Sequence, residues 1–189
     1  MQIDPTQLDG VFLLTPRRFG DARGFFAETW NEATLREAGL DLPHFVQDNH
    51  SFSAARGTVR GLHYQAPPVA QGKLVRCARG RLMDVAVDVR RGSKTYGQWI
   101  AEELSFENGR QLWIPPGFLH GFATLEPDTE IAYKCTARYA PEVEGAVHFN
   151  DPDLAIDWGV DLTAAVVSEK DADAPAFADW SSPFTMEGV

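Results

Sequence analysis

Cysteine is nearly absent: Cys77 and Cys135 are the only two in 189 residues, far apart in strand-like runs and without a local nucleophile signature. They supply no disulfide framework, and the expectation is two reduced, partly buried thiols. No window is long and apolar enough to span a bilayer, so no membrane partner is expected. The opening stretch "MQIDPTQLDG" lacks both the basic and the apolar regions of a secretory signal, and the expected location is the cytoplasm. Basic residues are scarce as well: 17 Lys and Arg stand against 27 Asp and Glu, a net charge of -10. That balance works against binding DNA or another nucleic acid along an extended surface, but allows a small anion in a locally basic pocket. No internal repeat, low-complexity tract or Pro/Gly/Ser-rich linker divides the chain. Against a usual size of roughly 100–200 residues per domain, residues 1-189 are expected to form a single domain, with the tail from about Pro175 unassigned.

What is plentiful is apolar. Hydrophobic residues make up 44%, with five Trp, twelve Phe and four Tyr, enough to bury a core that outweighs the entropy of ordering the chain. Strand signals recur at close spacing. "RLMDVAVDVR" alternates, with Met83, Val85, Val87 and Val89 on one face and Leu82, Asp84, Ala86 and Asp88 on the other. "KLVRCARG" precedes it, and Arg79-Gly80 reads as the hairpin turn between the two. "RQLWIPPGFLHGFATL" reads as strand, Pro-Pro-Gly turn and strand, and in "EIAYKCTARY" Ile131, Tyr133 and Cys135 share a face. Helix signals are few. In "WNEATLREAG", Asn31 is placed to cap a helix, Trp30 and Leu35 to form its hydrophobic staple and Gly39 to end it. "SEKD", Ser168 to Asp171, has the capping-box spacing of a second, short helix. The expected fold class is all-β, an antiparallel β-sandwich or barrel with a few short helices.

The stretch "VRGLHYQ", Val59 to Gln65, reads as a buried strand yet carries Arg60 and His63, and Lys73 heads the next strand. Strict alternation puts Arg60 and His63 on opposite faces, so both line one pocket only if the strand is irregular, as with a bulge at Gly61. His120 lies on the Pro- and Gly-shaped turn of "IPPGFLHGF", where a rigid scaffold presents polar groups. From spacing alone His63 fits a structural core histidine as well as a base. Asp171, beside Lys170 in "SEKDAD", fits an acid favoured by a helix dipole. A directly coordinated metal is not expected. His63-Tyr64-Gln65 stands where a His-x-His pair would serve zinc, iron or manganese, and Lys73 stands where a further ligand would be sought.

Taken in order, "DARGFFAETW", "QDNHSFS", "VRGLHYQAPP", "KLVRCARG", "DVAVDVRRGS", "WIPPGFLHGF", "YKCTARY", "NDPDLAIDW" and "SEKDAD" carry a resemblance. From about Asp21 to about Pro175 the chain resembles the dTDP-4-dehydrorhamnose 3,5-epimerases, metal-independent cupin-type enzymes of nucleotide-sugar metabolism. The resemblance implies a cupin-type jelly roll, a homodimer and no cofactor. It also implies inversion of C3 and C5 of a dTDP-linked 4-keto sugar, dTDP-4-dehydro-6-deoxy-glucose, toward dTDP-L-rhamnose and cell-surface carbohydrate.

Residue by residue, the resemblance makes His63 the general base, Asp171 the carboxylate that orients it, Tyr133 the acid on the opposite face and Lys73 the stabiliser of the enolate oxygen. The chemistry is coherent, because a ketone at C4 activates the hydrogens at both C3 and C5 and one base can serve both in turn. Arg23, Glu28, Gln47, Asp48, Asn49, Arg60, Lys73, His120, Glu144 and Lys170 match substrate-binding positions, with the arginines and lysine facing the diphosphate. Tyr139 matches a stacking platform for thymine, although its spacing also fits a strand-end core aromatic. Asp84 is implied as the partner that orients His120. Phe52 departs from the pattern, since many relatives carry a basic residue there. Competing readings are an epimerase of one carbon or of another nucleotide sugar, a non-catalytic sugar-binding cupin and a metal-dependent cupin oxygenase.

Overall fold

The computed structural model describes residues 1–187. In chain order the strands are β1 (Gln2–Pro5), β2 (Phe12–Thr15), β3 (Arg18–Asp21), β4 (Gly24–Ala27), β5 (Gln47–Ser53), β6 (Val59–Gln65), β7 (Lys73–Arg79), β8 (Arg81–Asp88), β9 (Trp99–Ser105), β10 (Gln111–Ile114), β11 (Phe118–Thr124), β12 (Thr129–Cys135) and β13 (Glu144–Ala146). Two large sheets form from them, six-stranded in the order β1-β2-β10-β7-β12-β5 and five-stranded in the order β13-β6-β11-β8-β9, beside a two-stranded β3-β4 sheet. Their named pairings are all antiparallel. The sheets meet over a core to which the first gives Val75, Cys77, Leu112 and Ile131 and the second Leu82, Ala86, Ile100, Leu104 and Phe122. This is the expected all-β sandwich of jelly-roll type.

The alternation of β8 has an unexpected consequence. Leu82 and Ala86 face the core between the sheets, while Val85 and Val87 face a second core closed by Phe149, Leu154, Ile156, Trp158 and Phe184. The C-terminal stretch, unassigned from sequence, is therefore a cover for the five-stranded sheet. Phe184 is 1% exposed, and a Phe side chain buried to that extent contributes about 1.5–3 kcal/mol. Farther along the same cover, Trp180 packs on Tyr64 at 5.2 Å between ring centres, and its indole Nε1 donates to the Tyr64 hydroxyl at 3.0 Å.

Arg79-Gly80 is not a hairpin turn. Strands β7 and β8 lie in different sheets, and the chain crosses between them at Gly80. Gly80 has φ +75°, and a Cβ there would lie 2.6 Å from Thr129 Oγ1, so the corner needs glycine.

Both helices start where their caps are. In α1 (Glu32–Glu37), Asn31 Oδ1 accepts from the amides of Ala33 and Thr34 at 3.0 and 3.3 Å, and Trp30 shares a cluster with buried Leu35. In α2 (Glu169–Ala172), Ser168 Oγ accepts from the Asp171 amide at 3.2 Å. Among the described residues, strands β3 and β4 pair only with each other, and this arm leaves Phe19 and Phe26 54% and 70% exposed. Among the described residues, no helix is long and apolar enough to cross a membrane.

Candidate active site

The site begins with an irregular strand pair. His63 of β6 lies opposite His120 of β11, while Arg60 lies opposite Phe122, so β6 carries one residue more than β11 between the two pairs. That extra residue turns Arg60 and His63 to the same cleft, as a bulge does. Gly61 at its centre has φ +125°, and a Cβ there would lie 2.6 Å from Gly121 Cα and 2.9 Å from the His120 carbonyl oxygen. Two backbones approach here as only glycine allows.

Beside the bulge, His63 Nε2 and Asp171 Oδ1 are 2.5 Å apart. Asp171 is 3% exposed, and its second oxygen accepts from the Gly61 amide at 3.4 Å. A reciprocal capping box would send this carboxylate back to the start of α2; instead it reaches across to His63. Burial pushes the Asp171 carboxyl up, but the hydrogen bonds from His63, Gly61 and Ser168 together with the His63 charge outweigh it and hold it below its ordinary value. It is therefore ionised at neutral pH and available to stabilise an imidazolium.

His63, Arg60, Lys73, His120, Tyr133, Tyr139 and Glu144 line one cleft of about 260 Å³, together with Ser51 and Phe122. His63 also borders two neighbouring hollows, one lined by Gln47, Asn49 and Gln65, the other by Ser168, Lys170 and Asp171. Because β6 and β12 belong to different sheets, His63 and Tyr133 approach the cleft from opposite walls. Burial raises the Tyr133 hydroxyl above its ordinary value, with the neighbouring Cys135 acting the same way, so the group is held in its proton-bearing form. Burial lowers the Lys73 ammonium, against the attraction of Cys135, Asp84 and Glu144. A poorly solvated cation of this kind gains most when an anion forms beside it. Burial likewise lowers the His120 imidazole, although His120 Nε2 lies 2.8 Å from Asp84 Oδ1. Asp84 is 0% exposed and, among the described residues, its other oxygen has no partner.

At the mouth, the Tyr139 hydroxyl donates to Glu144 Oε2 at 2.9 Å, and the Lys170 ammonium pairs with the same oxygen. Burial raises the Glu144 carboxyl, but Lys170 and Tyr139 hold it below its ordinary value. Tyr139 is 54% exposed, so it is not a core aromatic. Arg60 is exposed and, among the described residues, pairs with no carboxylate, which leaves its charge free beside the cleft. Gln47 and Asn49 are bonded to each other at 3.0 Å, and Asn49 reaches Cys135 Sγ at 3.6 Å.

Three of the expected substrate-binding residues are not brought to the cleft. Asp48 faces the other side of β5, between Gln47 and Asn49, and pairs with Lys134 at 2.9 Å; period-two alternation sends it there. Arg23, at the tip of the β3–β4 arm, pairs with Asp21. Glu28 accepts from Asn31 and Thr34 at the start of α1, at 3.0 and 3.1 Å. Phe52 also faces away from the cleft, and only its carbonyl meets Arg60, at 3.3 Å. Ser51, Gln65 and Gln71 border the site without having been singled out from sequence. Ser51 was legible, being two residues beyond Asn49 on the same face. Among the described residues, no group of three or more His, Cys, Asp or Glu could hold a metal ion.

The family model for dTDP-4-dehydrorhamnose 3,5-epimerase matches residues 5–179. The chain belongs to this family. A curated epimerase of that name from Pseudomonas aeruginosa is 55% identical over 169 residues, covering 89% of this chain and 92% of the relative. The crystal structure of the Elizabethkingia anophelis dTDP-4-dehydrorhamnose 3,5-epimerase superposes with a TM-score of 0.90 at 46% identity, covering 96% and 99% of the two chains. A dTDP-6-deoxy-D-glucose-3,5-epimerase from Legionella pneumophila, solved in complex with dTDP-4-keto-L-rhamnose, gives 0.88 at 46% identity over 94% and 93%. Within this epimerase family, the His63–Asp171 pair and the two-walled cleft are the features from which a mechanism follows.

Proposed function

We propose that this chain inverts C3 and C5 of dTDP-4-dehydro-6-deoxy-glucose, giving dTDP-4-dehydro-L-rhamnose. The observation that carries the reading is the cleft with a carboxylate-paired imidazole on one wall and a proton-bearing phenol on the other. His63 removes the proton next to the C4 ketone, and Asp171 stabilises the imidazolium that forms. Lys73 stabilises the enolate oxygen, and Tyr133 delivers a proton from the opposite face, which inverts the carbon. His120, held by Asp84, lies beside His63 and Lys73 as a neutral hydrogen-bonding group. Arg60 and Lys170 attract the diphosphate, Gln47, Asn49 and Glu144 contact the nucleotide sugar, and Tyr139 stacks on thymine. The relative solved with dTDP-4-keto-L-rhamnose supports a dTDP-sugar as substrate.

A homodimer accounts for Arg23, which misses the cleft of its own chain. The β3–β4 arm exposes Phe19, Phe25 and Phe26 and carries Arg23 at its tip, and a second copy is the simplest cover for such a patch. The compartment that fits two free, buried cysteines is the cytoplasm. The function is tested by incubating the chain with the 4-keto nucleotide sugar in deuterated water and reading C3 and C5 by NMR. Label and inversion at both carbons are expected, whereas label at one carbon alone makes the chain a single-carbon epimerase.

A further inference from the structure

The segment that carries Tyr139 runs from Thr136 to Ala140, after β12 ends, and among the described residues joins no strand. Apart from the Thr136 amide, which donates to the Gly72 carbonyl at 3.0 Å, and the Ala140 carbonyl, which accepts from the Val143 amide at 3.2 Å, its backbone is held by glutamine side chains from three other places in the chain. Gln71 Nε2 donates to the Ala137 carbonyl at 2.8 Å, and Gln47 Oε1 accepts from the Tyr139 amide at 2.8 Å. Gln65 does most. Its Nε2 donates to the Arg138 carbonyl at 3.0 Å and also to the Val69 carbonyl, and its Oε1 accepts from the Ala140 amide at 2.9 Å. It thereby grips the peptide groups on both sides of Tyr139. Gln65 is 5% exposed, and its position needs two donors and an acceptor on one planar group. Glutamine supplies that set; glutamate and methionine supply no donor.

Tyr139 itself is 54% exposed, with its hydroxyl on Glu144. The orientation of the ring thus comes from its backbone and from that one hydrogen bond. We propose that Gln65, with Gln71 at the rim, is the positioning residue that presets Tyr139 as a platform for the nucleotide base, and so governs affinity for the base without entering proton transfer. This rests on the reading of Tyr139 as the base platform. A ring fixed before binding loses less freedom when a base stacks on it, which is where preorganisation gains affinity.

The test compares Gln65→Glu, Gln71→Met and Tyr139→Ala with the parent, using dTDP and inorganic pyrophosphate as inhibitors of turnover. Pyrophosphate shares the phosphate contacts and lacks the base. Stacking of a base on an aromatic ring is commonly worth about tenfold in affinity or more. The expected result is a dTDP inhibition constant raised roughly tenfold in Tyr139→Ala and Gln65→Glu, with pyrophosphate within about twofold of the parent, and kcat at saturating substrate retained in Gln71→Met. Gln71→Met removes one hydrogen bond at the rim and gives the same pattern at smaller amplitude, which keeps the test open if Gln65→Glu yields little folded protein. Equal weakening of both inhibitors, or a fall in kcat alone, would make Gln65 a merely structural residue and overturn the proposal. Unchanged dTDP inhibition in the glutamine variants beside a weakened Tyr139→Ala also overturns it. If Tyr139→Ala itself binds dTDP like the parent, the stacking reading fails and takes the proposal with it.

Discussion

Replacing Asp171 by Asn isolates the charge behind His63. The amide has the carboxylate's shape, its oxygen can still accept from the Gly61 amide, now 3.4 Å from Oδ2, and the backbone amide at 171 still donates to Ser168 Oγ, so the fold is expected to persist. What disappears is the negative charge 2.5 Å from Nε2 of His63. With charge centres about 4 Å apart and an effective dielectric constant of about 20, the attraction between carboxylate and imidazolium is about 4 kcal/mol. At about 1.4 kcal/mol per tenfold, that is a loss of roughly 10³ in the rate of proton abstraction. The assay is deuterium incorporation at C3 and C5 under single-turnover conditions, beside a melting curve. A rate within tenfold of the parent in a folded protein would refute the orienting role and return Asp171 to an acid in the first turn of α2.

Lys73→Met should lower kcat by roughly 10²–10³ with KM within a few-fold, because the ammonium is needed most when the enolate forms; a large rise in KM at unchanged kcat would make Lys73 a phosphate contact. Gly61→Ala should cost at least about 2–3 kcal/mol in a melting experiment, since its Cβ would meet Gly121 Cα at 2.6 Å on a φ of +125°. Gly92→Ala, with φ +90° and nothing within 4 Å of the added carbon, should cost only about 1 kcal/mol, and equal losses would contradict the close approach of the two strands. Asp88→Asn should destabilise by about 3–5 kcal/mol, because the nearly buried Arg90 guanidinium, 2.8 Å from Asp88 Oδ2, would lose its counter-charge. Burial raises the Asp88 carboxyl, but Arg90, Ser93 and Thr95 hold it below its ordinary 3.8. Its contribution is therefore present above that value and lost as pH falls through the lower folded one. Acid unfolding followed below pH 4 should show this component in the parent and not in the variant.

Much of the site was legible because its residues lie in short strands where the face follows from parity. His63 and Gln65, or Tyr133 and Cys135, share a side by period two, and the caps at Asn31 and Ser168 mark both helices. Parity also excludes Asp48 from a cleft that takes Gln47 and Asn49, so that residue was recoverable from the same rule. Strand partnership was not. Alternation says which face a residue occupies and nothing about which strand lies beside it, so the corner at Gly80 read as a hairpin. The tail from Pro175 has no periodicity because it covers a sheet through scattered aromatics such as Phe177, Trp180 and Phe184. Gln65 was hidden for another reason: its role lies in hydrogen bonds to the backbone of a segment more than seventy residues away.

The two-walled mechanism stands or falls on Tyr133. In Tyr133→Phe the ring still fills its place on β12 and only the proton donor is lost, while His63, Asp171 and Lys73 are untouched. With the 4-keto nucleotide sugar in deuterated water, the variant should exchange hydrogen for deuterium at C3 and C5 through His63 but return the label to the face it left. Recovered substrate would then be deuterated and largely uninverted. Normal yield of the doubly inverted sugar from Tyr133→Phe, or no exchange at all in a folded variant, would contradict the assignment of base and acid to opposite walls.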